Sequence, residues 1–198
     1  MKILVSNLGS TSFKYKVFDM PSARVLARGG MDRIGGGDSV HRYQIGDGDT
    51  IEQACSLPDH ARAIDEALER LVGQGGVLQS VEELTAVGFK AVHARSISGV
   101  VELDDDVVGR MEDFYPLAPA HNPAYVAAMR QFECVAPRAR RVGCFETAFH
   151  GTAPLRRQLY AVPYEWYEEY GVKRYGFHGA SHRLSLIHIS EPTRRRTI

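Results

Sequence analysis

Apolar and polar positions alternate at the start of the chain and switch to a longer period further on. Ile3, Leu4 and Val5 form a short apolar run that reads as a buried strand. Phe13, Tyr15 and Val17 then alternate with Lys14, Lys16 and Asp19, the pattern of a half-buried strand. Arg24 to Arg28 predicts a third strand and His41 to Ile45 a fourth. Turns are expected at Gly29-Gly30, at Gly35-Gly36-Gly37 and at Gly46-Asp47-Gly48-Asp49. The opening is therefore an antiparallel meander. From Ser56 the period lengthens: Ala61, Ile64, Leu68, Leu71 and Val72 recur at helical spacing, with Ser56 as the expected N-cap, Asp59 three residues on, and Gly73, Gly75 and Gly76 as the stop.

The second half alternates strands and helices. Leu84 to Val92 predicts a central strand and Val100 to Leu103 a short one. Asp104-Asp105-Asp106 reads as an acidic helix start matched to the helix dipole rather than as a metal site. Asn122 and Pro123 predict an N-cap and first-turn proline for a helix running to about Cys134. Strands are expected at Arg141 to Phe145 and Gln158 to Val162, and a short helix at Pro163 to Tyr167 before Gly171. The class is α/β.

The chain of 198 residues can bury a sizeable core, and its zero formal charge gives no whole-chain case for nucleic acid or a membrane surface. No apolar run approaches the ~20 residues that span a bilayer, and the start lacks the apolar stretch of a signal peptide, so the cytoplasm is the expected compartment. Cys55, Cys134 and Cys144 are odd in number and widely spaced, which predicts buried, reduced thiols, with Cys144 as a small hydrophobe in a strand.

Candidate chemistry begins at the turn Asn7-Leu8-Gly9-Ser10-Thr11-Ser12. Gly9 permits close backbone approach, the hydroxyls and amides can donate to an anion, Lys14 can place an ammonium there, and Asn7 offers an oxygen to a hydrated Mg²⁺. The same residues also suit a plain hairpin, and the turn is neither a Walker A loop nor a G-x-G-x-x-G. Lys90, in an otherwise apolar run, is either a side chain that snorkels to an edge, the default reading, or a cation aimed into a cleft. His121 immediately precedes a helix N-terminus, where an anion would meet dipole and imidazole together. Glu146 and Thr147 stand at the carboxyl end of a strand, where α/β folds place ligands, with His150 following. His178 and His182 lie among glycines without an adjacent carboxylate or cysteine and read as hydrogen-bond donors rather than metal ligands. Arg194-Arg195-Arg196 reads as a solvated terminus.

Taken together, Val5 to Tyr15, Leu117 to Pro123, Phe145 to His150 and Arg174 to His182 resemble, in order and spacing, segments of the acetate kinase family, which belongs to the actin, Hsp70 and sugar kinase superfamily. The resemblance covers Met1 to His182, the N-terminal part of an enzyme about twice as long. It implies a ribonuclease H-like β-β-β-α-β-α-β-α domain over residues 1–182, and a tail, residues 183–198, expected to be non-native or unstructured. It implies direct in-line phosphoryl transfer between ATP and a short carboxylate, acetate or propionate, in a homodimeric whole protein; the alternatives are a divergent kinase for another carboxylate or a hydroxyl substrate, and a non-catalytic binding fragment. On this resemblance Asn7 would help hold Mg²⁺, Ser10, Ser12 and Lys14 would lie by the phosphates, and His121 and His178 would line the path of the phosphoryl group. The family's substrate-clamping arginine and catalytic aspartate align with Lys90 and Glu146. Lysine keeps the charge but loses the bidentate fork, and glutamate is one methylene longer.

Overall fold

A computed structural model describes residues 1–119 and 121–190, with side chains through residue 187. The arginine triplet 194–196 therefore lies outside the described residues. The strands are β1 (Lys2–Leu8), β2 (Ser12–Asp19), β3 (Arg24–Asp32), β4 (Val40–Ile45), β5 (Ile51–Ala54), β6 (Leu84–Ala91), β7 (Gly99–Glu102) and β8 (Arg140–Phe145). They form one sheet in the order β5-β4-β3-β2-β1-β6-β8-β7. β1 pairs parallel with β6 and β6 parallel with β8, while the remaining pairings are antiparallel. The inner strands β3-β2-β1-β6-β8 have the arrangement expected of the ribonuclease H-like type, widened by β4 and β5 at one edge and β7 at the other.

The helices among the described residues are α1 (His60–Val72), between β5 and β6, α2 (Asp105–Asp113) and α3 (Asn122–Val135), between β7 and β8, and α4 (Leu155–Gln158), α5 (Glu165–Tyr170) and α6 (Gly179–Ser190) after β8. Helices α1 and α3 pack on each other and against β2 and β6. The core forms where their apolar stripes meet one face of the sheet, with Leu4, Phe13, Val17, Ile64, Leu71, Phe89 and Phe132 fully buried or nearly so. The opposite face of β1 and β2 is open. Val5, expected to be buried, is 42% exposed there, because the period of two that buries Leu4 sends Val5 outward with Asn7, Lys14 and Lys16.

Several expectations are corrected by tertiary contacts. Gly29 and Gly30 sit inside β3 instead of ending it: a Cβ on Gly29 would fall 2.4 Å from the Tyr15 ring, so the strand crosses that ring only as glycine. β5, for which the sequence pattern gives no signal, extends the meander by pairing with β4. The cap of α1 is Asp59, whose carboxylate accepts from the Arg62 amide at 2.8 Å, and not Ser56. Asn122 does not cap α3. Its amide turns inward and donates to the carbonyls of His93 (3.0 Å) and Met111 (2.9 Å), leaving His121 at the cap position. Residues 158–162 form no strand. The three cysteines are free, but Cys134 and Cys144 are exposed and Cys55 half-buried; Cys144 occupies an outward position of β8. The backbone is helical across Arg183 as far as Ser190. Among the described residues no helix is long and apolar enough to cross a membrane.

A buried polar cluster lies beneath β2–β4. The Tyr15 hydroxyl and His41 Nε2 are 2.9 Å apart, and His41 Nδ1 stands 3.9 Å from a Glu66 carboxylate oxygen. Burial first, and the Arg70 charge second, lower the His41 pKa from 6.5 to about 4. In the unfolded chain His41 takes a proton at about its ordinary pKa, so between those two values the unfolded state binds more protons and stability rises with pH. The shift corresponds to about 3 kcal/mol at ~1.4 kcal/mol per unit. This stability is expected in full above pH 6.5 and to be lost as pH falls toward 4. Urea midpoints measured across that range should fall on acidification, and less steeply in His41→Asn; identical slopes would contradict the assignment.

Candidate functional site

The parallel strands β1, β6 and β8 lie side by side and direct their carboxyl ends to one edge of the sheet. From β1 the chain enters the turn at Gly9 and Ser10. From β6 it presents Lys90, and from β8 it passes into the 3₁₀ turn Glu146–His150. Lys90 and Glu146 meet there, with Nζ and Oε1 3.3 Å apart and only 7% of the Glu146 side chain exposed. Lys90 is thus a cation at a cleft and not a snorkelling edge residue. Together with Leu8, Gly9, Ser10, His121, Ala124 and Tyr125 it lines a hollow of about 280 Å³. Burial, and then the charge of Glu146, raise the Tyr125 phenol above its ordinary pKa.

The expected site residues other than His178 fall into two groups joined by the turn after β1. Ser10, Lys90 and His121 share the hollow, and Glu146 joins them through its ion pair. Asn7 and Lys14 are register partners whose side chains line a shallower hollow of about 600 Å³ on the open sheet face, with Lys16, Arg28 and Arg42. The turn connects the two, and Ser12 closes it: its carbonyl accepts from the Gly9 amide at 2.8 Å. A Cβ on Gly9 would lie 2.6 Å from Ser12 Oγ, so the turn is built around glycine.

His178 is exposed and adopts φ 55°, an uncommon conformation for a residue other than glycine. Its carbonyl accepts from the His182 amide in the first turn of α6. The next residue, Gly179, lies so close to the Glu146 carbonyl that a Cβ would overlap it at 2.0 Å, which fixes the start of α6 against the Glu146 turn. His93 Nδ1 is a buried atom with no hydrogen-bond partner among the described residues, and its ring contacts Phe114, Tyr175 and Phe177; burial lowers its pKa. This cage, Tyr125 and Gly179 were not singled out by the sequence pattern, since each acts through contacts between distant segments.

Among the described residues no group of three or more His, Cys, Asp or Glu side chains is placed to hold a metal ion. Asn7, a single exposed amide beside Lys14, suits an Mg²⁺ that keeps most of its waters and arrives on phosphate oxygens, and does not suit a cage made of protein ligands.

The model of the acetokinase family matches residues 2–193. The acetate kinase of Bacillus cytotoxicus is 39% identical over 191 residues, covering 96% of this chain and 48% of that protein. The crystal structure of Porphyromonas gingivalis acetate kinase superposes with a TM-score of 0.81 at 38% identity, covering 96% of this chain and 49% of that one. A propionate kinase structure from Francisella tularensis gives 0.82 at 26% identity, over 96% and 49% of the two chains. The chain spans about half the length of the relatives it matches.

Proposed function

The chain belongs to the acetokinase family, and from that premise we propose that residues 1–182 are the N-terminal domain of a cytoplasmic, homodimeric phosphotransferase that converts ATP and a short carboxylate, acetate or propionate, into ADP and an acyl phosphate. The observation that carries the reading is the meeting of Ser10, Lys90, His121 and Glu146 around the carboxyl ends of β1, β6 and β8. A carboxylate is already ionised and nucleophilic at neutral pH. One of its oxygens forms the new bond to the γ-phosphorus as the bond to the ADP oxygen breaks, and no proton has to move.

The protein's work is then alignment and charge compensation. Lys90 offers its ammonium to the incoming carboxylate, while Glu146 holds that ammonium at the strand end. Ser10, Ser12 and Lys14 donate to phosphate oxygens, and His121 and His178 to the equatorial oxygens of the phosphoryl group in transit. Mg²⁺, held in part by Asn7, supplies neutralisation of phosphate charge when bound.

The test is to join this chain to the second half of the Bacillus cytotoxicus relative and assay acyl hydroxamate formation with Mg·ATP. Turnover with acetate or propionate is expected. A folded protein silent with both acids refutes the assignment. The Lys90–Glu146 pair favours a second reading, in which another carboxylate or a hydroxyl compound is the acceptor, because Lys90 already has an anionic partner. Turnover of such a compound in preference to the two acids would select it.

A further inference from the structure

Helix α1 begins at His60, fifty-one residues after Gly9, and His60 Nε2 lies 2.9 Å from the Gly9 carbonyl oxygen. The ring is half-buried, and its backbone is fixed by the Asp59 cap one residue before. The contact belongs to a closed circuit. The Ile34 amide donates to the Thr11 carbonyl at 3.0 Å, and the Gly35 amide donates to the Leu57 carbonyl at 2.8 Å. His60 then returns from the same Leu57–His60 segment to the turn. The Gly9–Thr11 stretch is thereby tied at both ends to the loop and helix that follow the meander.

The circuit has a directional consequence. In a planar trans peptide the C=O and the next N–H point in opposite directions. Drawing the Gly9 carbonyl toward His60 therefore turns the Ser10 amide away from α1. Gly9 and Ser10 line the hollow with Lys90 and His121, and the Ser10 amide has no intramolecular acceptor among the described residues. A backbone donor left in this way suits an anion.

We propose that His60 is a positioning residue for the anion-binding turn: its Nε2–H holds the Gly9 carbonyl so that the Ser10 amide donates to a phosphoryl oxygen in the hollow. This rests on the proposed role of the turn in phosphate binding. His60 touches no ligand itself; it fixes the peptide plane that does. A donor whose orientation is fixed before binding does not have to be ordered during it, which is where the gain in affinity arises.

The test uses the whole 198-residue chain, isotopically labelled, and Mg·ATP or pyrophosphate as the probe. Without ligand, ring nitrogen shifts should report the Nε2–H tautomer of His60; a ring protonated only on Nδ1 overturns the proposal. On titration, the Ser10 amide should be among the most strongly shifted signals. His60→Leu should weaken binding about tenfold with the amide spectrum of the sheet unchanged, and His60→Gln, which restores a donor, should recover most of the loss. If the native chain binds the probe at Ser10 and His60→Leu binds equally well, the positioning role fails while the phosphate role of the turn stands. If the native chain does not bind at the turn, both fail. If His60→Leu does not fold, the His60→Gln affinity and the tautomer decide.

Discussion

Glu146→Ala is expected to lower kcat for acyl phosphate formation about a hundredfold, while the KM for the carboxylate stays the same or falls. The two parameters separate because Glu146 and the substrate would compete for one ammonium. With the acid removed, Lys90 loses the partner at 3.3 Å that holds it at the end of β6, and it becomes freer to pair with an incoming anion. Binding is then preserved or improved. Alignment is not, and a displacement of about 1 Å at the reacting centre costs on the order of a hundredfold. The measurement is steady-state kinetics in the protein joined to a relative's second half, varying carboxylate at saturating Mg·ATP. A kcat within threefold of the parent, or a rise in KM alone, would show that Glu146 serves binding and not alignment.

Phe132→Ala is expected to cost about 3–5 kcal/mol of stability. The side chain is 1% exposed, and its ring meets Phe89 edge-to-face at 5.6 Å where α3 lies on β6. The space cannot close easily. Asn122 anchors the start of α3 through two buried hydrogen bonds, and Tyr125, Val126 and Met129 hold the same face of the helix in the core. A loss of this size is a large share of the ~5–15 kcal/mol that keeps a domain folded. Denaturant unfolding should show a much lower midpoint with an unchanged slope, and a loss under 1 kcal/mol would mean that α3 can settle onto β6.

The elements most legible in the sequence were those whose signal lies within a few residues. Phe13, Tyr15 and Val17 announce β2 by their spacing, Ile64, Leu68 and Leu71 announce the buried stripe of α1, and Asp104 caps α2 as its position suggests. Misreadings arose where a distant group decides. Gly29 looks like a turn until the Tyr15 ring is placed against it. Asn122 looks like a cap until the carbonyls of Met111 and His93, 11 and 29 residues away, claim its amide. The site divides in the same way. Ser10, His121 and Glu146, which the structure brings around the hollow directly or through Lys90, each stand next to a readable boundary of a strand or helix. Lys90 was ambiguous alone, since only Glu146 settles which way it points. Nothing local to Pro58-Asp59-His60 signals a contact with Gly9, and only the closed circuit of hydrogen bonds reveals it.

Three parallel strands, each separated from the next by a long excursion through other elements, deliver the groups around the hollow. Partial unfolding of any one of them dismantles the cleft, so a molecule gripped there stabilises only the fully paired sheet. Its binding energy adds to the cooperativity of the whole unit, and saturation at a hundred times Kd would raise the unfolding free energy by about 2.7 kcal/mol. Thermal denaturation followed at strands far from the cleft, such as β4 and β5, would therefore report occupancy without any spectroscopic label near it.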